Sequence, residues 1–115
     1  MSLTVLMIVL TLGGDGQRSA AFVDTASIPE CEQRAANVRR IIGSSATVEA
    51  TICLPSEQSF DPFMHGADED EEPRHAYLIS HDDARVTVRE VESCDTATPA
   101  PGEVCATSIQ GMLAP

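Results

Sequence analysis

The chain has 115 residues and a formal net charge of −11, which excludes ordinary nucleic-acid binding through a basic surface and docking on anionic membranes. Its length fits one domain, or one small domain with an appendage. The hydrophobic fraction is 43%, but the aromatics are only Phe22, Phe60, Phe63 and Tyr77, so the core is thin and gains from covalent staples or a partner.

Leu3 to Leu12 is an apolar run broken only by Thr4 and Thr11. It is too short to span a bilayer as a helix, so no stable membrane span is expected, and two main readings stay open. One is a signal peptide, with Ser19-Ala20-Ala21 as a small-residue cleavage site and export after cleavage behind Ala21. No Lys or Arg precedes the run, however. The other is a buried strand, apolar on both faces, with a Gly13-Gly14-Asp15-Gly16 turn and a returning strand from Arg18 to Thr25. The strand reading is favoured over both the leader and an uncleaved anchor, and with it a cytoplasmic location.

The stretch from Ser27 to Pro55 is where capping, periodicity and cysteine placement agree. Ser27 is placed to cap a helix, with Glu30 reaching back to the Ser27 amide in a capping box, and Pro29 falls in the first turn, where its missing N–H costs nothing. Cys31, Ala35, Val38 and Ile42 form an apolar stripe with Ile41 beside it, opposite Glu32, Gln33, Asn37 and Arg40. Arg39 and Arg40 suit the negative end of the helix dipole, and Gly43 is placed to leave the helix. Thr47 to Leu54 then alternates, with Val48, Ala50, Ile52 and Leu54 on one face, and reads as a half-buried strand ended by Pro55. Cys53 falls by parity with Thr47, Glu49 and Thr51, so a Cys31–Cys53 bridge is expected to need a bulge or twist at the strand's end.

Met1–Leu12, Gly13–Gly16, Phe22–Thr25, Cys31-Glu32-x-x-Ala35-Ala36 and Ile52-Cys53-Leu54-Pro55 together resemble a group of short uncharacterised proteins of bacteriophages and prophages. These run strand, turn, strand, helix, strand, with one cysteine near the helix start and another in the closing strand. The resemblance covers residues 1–55 and implies a phage-borne ββαβ module with no activity attached. Residues 56–115 have no counterpart in it.

Residues 56–75 read as an acidic loop or linker, in which Phe60-Asp61-Pro62-Phe63-Met64 is placed to anchor on the core. Asp68 to Glu72 is an unbroken acidic run closed by Pro73; such runs repel internally and stay solvated. Within 76–115, Ala76–Ser80 and Arg85–Arg89 are strand-like, with His81-Asp82-Asp83-Ala84 as a hairpin connection. The second of these places Val86 and Val88 opposite Thr87, Arg89 and Val91. Cys94 and Cys105 bracket a Pro/Thr/Ala-rich loop, and a last short strand is expected over Val104–Ile109. The expected fold class is α+β: a ββαβ module, an acidic loop and a small antiparallel β appendage.

The residues that bear chemistry weigh toward structural roles. Cys31, Cys53, Cys94 and Cys105 contain no Cys-x-x-Cys pair, which leaves zinc-ribbon and thioredoxin readings without support; local pairing, Cys31–Cys53 with Cys94–Cys105, is the simplest of three connectivities. Cys31 in the first helical turn partly suits a reactive thiol, but a disulfide or small apolar residue is the better reading. His65, His75 and His81 with Asp68–Glu72, Asp82 and Asp83 are the one concentration of metal-ligating types, matching no zinc or calcium-loop spacing. The His81-Asp82 pair lacks a placed nucleophile, and Arg34, Arg39 and Arg40 suit the protein's own acids better than a phosphate. No catalytic residue, cofactor or metal is therefore expected. The leading function is a small acidic interaction protein with a protein partner and no direct nucleic-acid contact. The alternatives are an inhibitor that mimics nucleic acid with its carboxylates, and a secreted, disulfide-stapled binding module.

Overall fold

A strand apolar at successive positions must be covered on both faces, and the segment Thr4–Leu12 is. In the computed structural model, which describes residues 4–13, 16–42, 47–61 and 75–113, this segment is β1, and Leu6 through Leu10 are each at most 4% exposed. It runs antiparallel between β2 (Arg18–Thr25) and β3 (Thr47–Ser56). The apolar run is thus an interior strand, and cleavage after Ala21 would strip it from the fold.

The fold is α+β. Among the described residues one helix, α1 (Ile28–Ile42), accompanies β1 to β3 and three further strands, β4 (His75–His81), β5 (Val86–Val91) and β6 (Val104–Ser108). All six strands form one sheet in the order β3-β1-β2-β6-β4-β5, antiparallel throughout except for β2 with β6. The C-terminal strands are therefore not an appendage. Leu6, Ile8, Leu10, Phe22 and Ile52 from the first three strands and Tyr77, Ile79, Val86, Val88 and Ala106 from the last three belong to a single buried cluster. Each half has one apolar face too poor in aromatic mass to stand alone, so the sheet curls until the two faces close on each other. Its edge strands β3 and β5 then approach, and Gln58, just after β3, accepts the Val88 N–H at 3.2 Å through Oε1.

The seam between the halves is narrow in backbone terms, since β2 and β6 are in register only at Ser19 and Thr107. Gln110 supplies what the ladder lacks. Its Oε1 accepts the Phe22 N–H at 2.8 Å, and its Nε2 donates to the Phe22 carbonyl at 2.8 Å and to the Asp61 carbonyl at 2.7 Å. The Gln110 carbonyl accepts the Tyr77 hydroxyl at 2.7 Å. A buried amide is tolerated only when its hydrogen-bonding groups are met; Gln110 is 2% exposed, and among the described residues no buried side-chain nitrogen or oxygen lacks a partner. Around it Phe22 stacks on Phe60 at 3.8 Å between centroids, and both meet Tyr77 edge-on at 5.4 Å. Phe60 thus anchors on the core as expected; Pro62–Met64 lie outside the described residues.

The helix covers the convex side of β1, β2 and β3. Ser27 Oγ accepts the Glu30 N–H at 3.2 Å, as a cap should, but the Glu30 carboxylate accepts from the Ala26 N–H at 2.7 Å rather than from Ser27. Cys31 and Ala35 are buried and Val38 packs beside them against Met7, Val9 and Val23. Ile41, expected beside this stripe, is 69% exposed, and Gly43 lies outside the described residues.

Two expectations for β3 are corrected by its register. Leu10 pairs with Ala50 but Thr11 with Val48, so Glu49 is an extra residue in a bulge. The bulge carries Val48 across to the helix side while Ala50, Ile52 and Leu54 stay with the concave core. Cys53 needs no bulge of its own: it sits opposite Met7 on the side where the helix packs. Nor does Pro55 end the strand, which continues to Ser56; β3 is an edge strand, where a proline's missing N–H can be tolerated.

Truncating the aromatic that joins the halves should be costly. We expect Phe60→Ala to lower stability by about 3–5 kcal/mol in urea unfolding; a loss below about 1 kcal/mol would show that Phe60 is dispensable to the core.

Candidate functional site

The four cysteines are paired as the simplest connectivity has it. Cys31 joins Cys53, and Cys94 joins Cys105, with Cα separations of 5.8 and 5.7 Å, both within the ordinary range. No cysteine is free. The two bridges do parallel work. The first ties α1 to the convex side of β3. In β6, Val104 and Ala106 face the concave core, so Cys105 between them faces the convex side, and its bridge to Cys94 holds residues 92–103 there as a strap. In β4, Ala76 and Leu78 alternate with Tyr77 and Ile79 onto that same side and are 5% and 3% exposed; Leu78 is the cross-strand partner of Cys105.

The strap is shaped largely by its own contacts. Ser93 accepts the Ala97 N–H through its carbonyl at 3.0 Å and the Asp95 N–H through Oγ at 3.0 Å. Further on, the Glu103 N–H donates to the Ala100 carbonyl at 2.9 Å, and Glu103 Oε1 accepts the Ala100 N–H at 2.9 Å. Gly102 between them has φ +87°, the left-handed position a Pro-Gly turn requires. Between the strap and the start of β2 lies an open groove of about 610 Å³, lined by Arg18, His75, Cys94, Asp95, Glu103 and Thr107 among others. It opens where β2 and β6 have little ladder between them.

At the groove's rim, His75 Nδ1 lies 2.8 Å from Glu90 Oε2, and the imidazole stacks at 6.0 Å over Tyr77. Gly111 lets this corner close, since a Cβ there would stand 3.0 Å from Asp61 Oδ2 and 3.4 Å from His75 Nε2. Burial pushes the Tyr77 hydroxyl up to about 12, helped by the charges of Glu90 and Asp61 and opposed by the Met112 amide.

Of the residues weighed for metal binding, the two described histidines are not brought together. His75 and His81 stand at opposite ends of β4, His75 paired with Ser108 and His81 with Val86, while His65 and Asp68–Glu72 lie outside the described residues. Among the described residues no group of three or more His, Cys, Asp or Glu could hold a metal ion. Asp82 caps the β4–β5 hairpin: its Oδ1 accepts the Ala84 and Arg85 N–H groups at 2.7 and 2.9 Å, and those bonds hold its carboxyl below the usual range. Among the described residues no helix is long and apolar enough to cross a membrane. Sequence reasoning missed Gln110, Glu90 and Gly111. No periodicity marks them, because each is placed by pairing between distant segments.

Tyr77 is the sole tyrosine, so tyrosinate absorbance reports it alone. Its folded pKa lies above the unfolded value, so stability is intact below the ordinary value of 10.0 and is lost as pH rises toward about 12. We expect the phenolate to appear only with alkaline unfolding; titration near the ordinary value in a protein still folded would contradict the buried hydroxyl.

Comparison with known proteins finds no matching family model, no matching curated protein and no matching solved structure.

Proposed function

We propose that this chain is a small non-enzymatic interaction protein, held rigid by its two disulfides and working in an oxidising compartment. The observation that carries the reading is that all four cysteines are bridged, each bridge fixing a covering element to the same sheet. Structural disulfides persist where thiols are not kept reduced. In a thin core, bridges closing 22- and 11-residue separations contribute about 3 kcal/mol each by the chain-entropy account. A pre-organised surface then loses less freedom when it binds.

On this reading residues 1–55 serve as a ββαβ scaffold of the phage type. A net charge of −11 suits a protein partner with a basic face, attracted over a distance by complementary charge. The residues that could have suggested chemistry are engaged otherwise: Asp82 in its hairpin and His75 with Glu90. The nucleic-acid mimic is less favoured, because Glu30, Glu49, Glu57 and Glu103 each pair with an arginine rather than standing as unpaired phosphate-like charges.

Thiol trapping in intact cells of the native host tests the compartment. We expect no alkylation before reduction and four alkylated cysteines after it; four thiols reactive at the outset would contradict the reading. Size exclusion tests the interaction half, where a compact monomer that retains no partner would count against it.

A further inference from the structure

We propose that the groove between β2 and β6 is the docking site for an extended basic segment of a protein partner. The segment adds as a strand to the open side of β6 and sets lysine or arginine side chains against the strap. This deepens the interaction reading above and rests on it.

The groove exists because the sheet splits there. β6 pairs with β4 over its whole length, from Val104 to Ser108, but meets β2 in register only at Ser19 and Thr107. From Val104 to Ala106 no described strand pairs with β6 on the β2 side, and Gly16 and Arg18 stand across the groove instead. Backbone groups along a strand address its two neighbours alternately. This stretch therefore turns N–H and C=O groups to the groove, the template to which an extended peptide adds. The two outer edges of the sheet are less open, since β3 and β5 approach each other and Gln58 already takes the Val88 N–H. At about 610 Å³ the groove has the volume of an ordinary ligand cleft.

Charge selects what enters. Glu92, Asp95 and Glu103 stand on the strap side, against Arg18 and His75. Both of those basic groups have a carboxylate of their own: Arg18 Nε lies 2.5 Å from Glu49 Oε1, and His75 Nδ1 lies 2.8 Å from Glu90 Oε2. Glu103 is shared with Arg89 at 3.8 Å. Glu92 and Asp95 are exposed and have no ion-pair partner among the described residues, so the groove carries an uncompensated negative charge that a cationic side chain complements. Alternation adds a second constraint. Val104 and Ala106 belong to the concave core and Cys105 faces the strap. A strand laid beside β6 alternates in step, so basic side chains meet the strap carboxylates while small apolar ones approach Val104.

The test uses the oxidised full chain and, as probe, a capped pentapeptide of alternating lysine and valine, titrated by amide NMR at about 0.15 M salt. We expect the largest shifts at residues 16–18 and 104–107. Glu92→Gln with Asp95→Asn should weaken binding at least about fivefold, whereas the same charge removed elsewhere, by Asp24→Asn with Glu32→Gln, should change it less than about twofold. A fully N-methylated probe keeps its charge but donates no backbone hydrogen bond, and should bind at least about tenfold more weakly. Equal weakening by the two variant pairs would reveal diffuse attraction and overturn the groove. Shifts centred on another surface, undiminished binding of the N-methylated probe, or no binding at millimolar peptide would overturn it too. Such a failure leaves the interaction reading standing if size exclusion still shows a retained partner; a lone compact monomer counts against that reading instead.

Discussion

The side-chain amide of Gln110 acts as a piece of strand. By accepting from the Phe22 N–H and donating to the Phe22 carbonyl, it occupies the place a paired residue would take beside β2, where β6 itself is in register only at Ser19. Everything on either side depends on that substitution. The aromatic trio can close only if Phe22 is held against Tyr77 and Phe60, and the concave core can be shared only if the two half-sheets stay joined. The same residue draws in the segment after β3 through the Asp61 carbonyl, beside the Phe60–Met112 bridge. One buried amide thereby ties three distant stretches of chain.

Magnitudes separate what holds the molecule from what decorates it. The ion pairs Arg34–Glu30, Arg85–Glu57 and Arg89–Glu103, at 3.6, 3.7 and 3.8 Å and each with an exposed arginine, contribute at most about 1 kcal/mol apiece. The aromatic cluster, the buried amide and the bridges each act on a larger scale. They also divide the labour by side. The concave side is closed by noncovalent packing between the halves, whereas both covers of the convex side, α1 and the strap, are fixed covalently. A helix whose buried positions among the described residues are Cys31 and Ala35 has too little apolar area to dock firmly alone, which explains why one of those positions is a bridged cysteine.

Local chemistry was legible in the sequence, and long-range pairing was not. Ser27, Pro29 and Arg40 announce the helix because caps and dipole preferences act within a turn. The alternation of Val86 and Val88 announces β5 because a half-buried strand has period two. The local cysteine pairing was also readable as the simplest choice. The bulge at Glu49 was hidden, since it is defined by register against β1 and not by any property of Glu49 itself; strict alternation therefore puts Val48 on the wrong face. Pro55 misled because its meaning depends on whether the strand lies at an edge. The joining of the C-terminal strands to the N-terminal half was invisible for the same reason, as Gln110 carries its partners on residues 49 and 88 positions away. Of the candidate site, the cysteines were legible, while Glu90 and Gly111 gained meaning only once β4, β5 and the C-terminal segment met.

The functional reading follows from this architecture: rigidity is concentrated in the bridged convex covers, and the groove opens where the seam has the least ladder. Its foundation is the seam, and replacing Gln110 by leucine tests it most directly, because leucine keeps the bulk and removes the hydrogen bonds. Three backbone groups, the Phe22 N–H and the Phe22 and Asp61 carbonyls, would lose their partner. The account predicts that urea unfolding of Gln110→Leu shows a loss of at least about 3 kcal/mol, with faster exchange at the Phe22 amide. A variant within about 0.5 kcal/mol of the parent, with the Phe22 amide still protected, would mean that the halves are held together by something other than this amide.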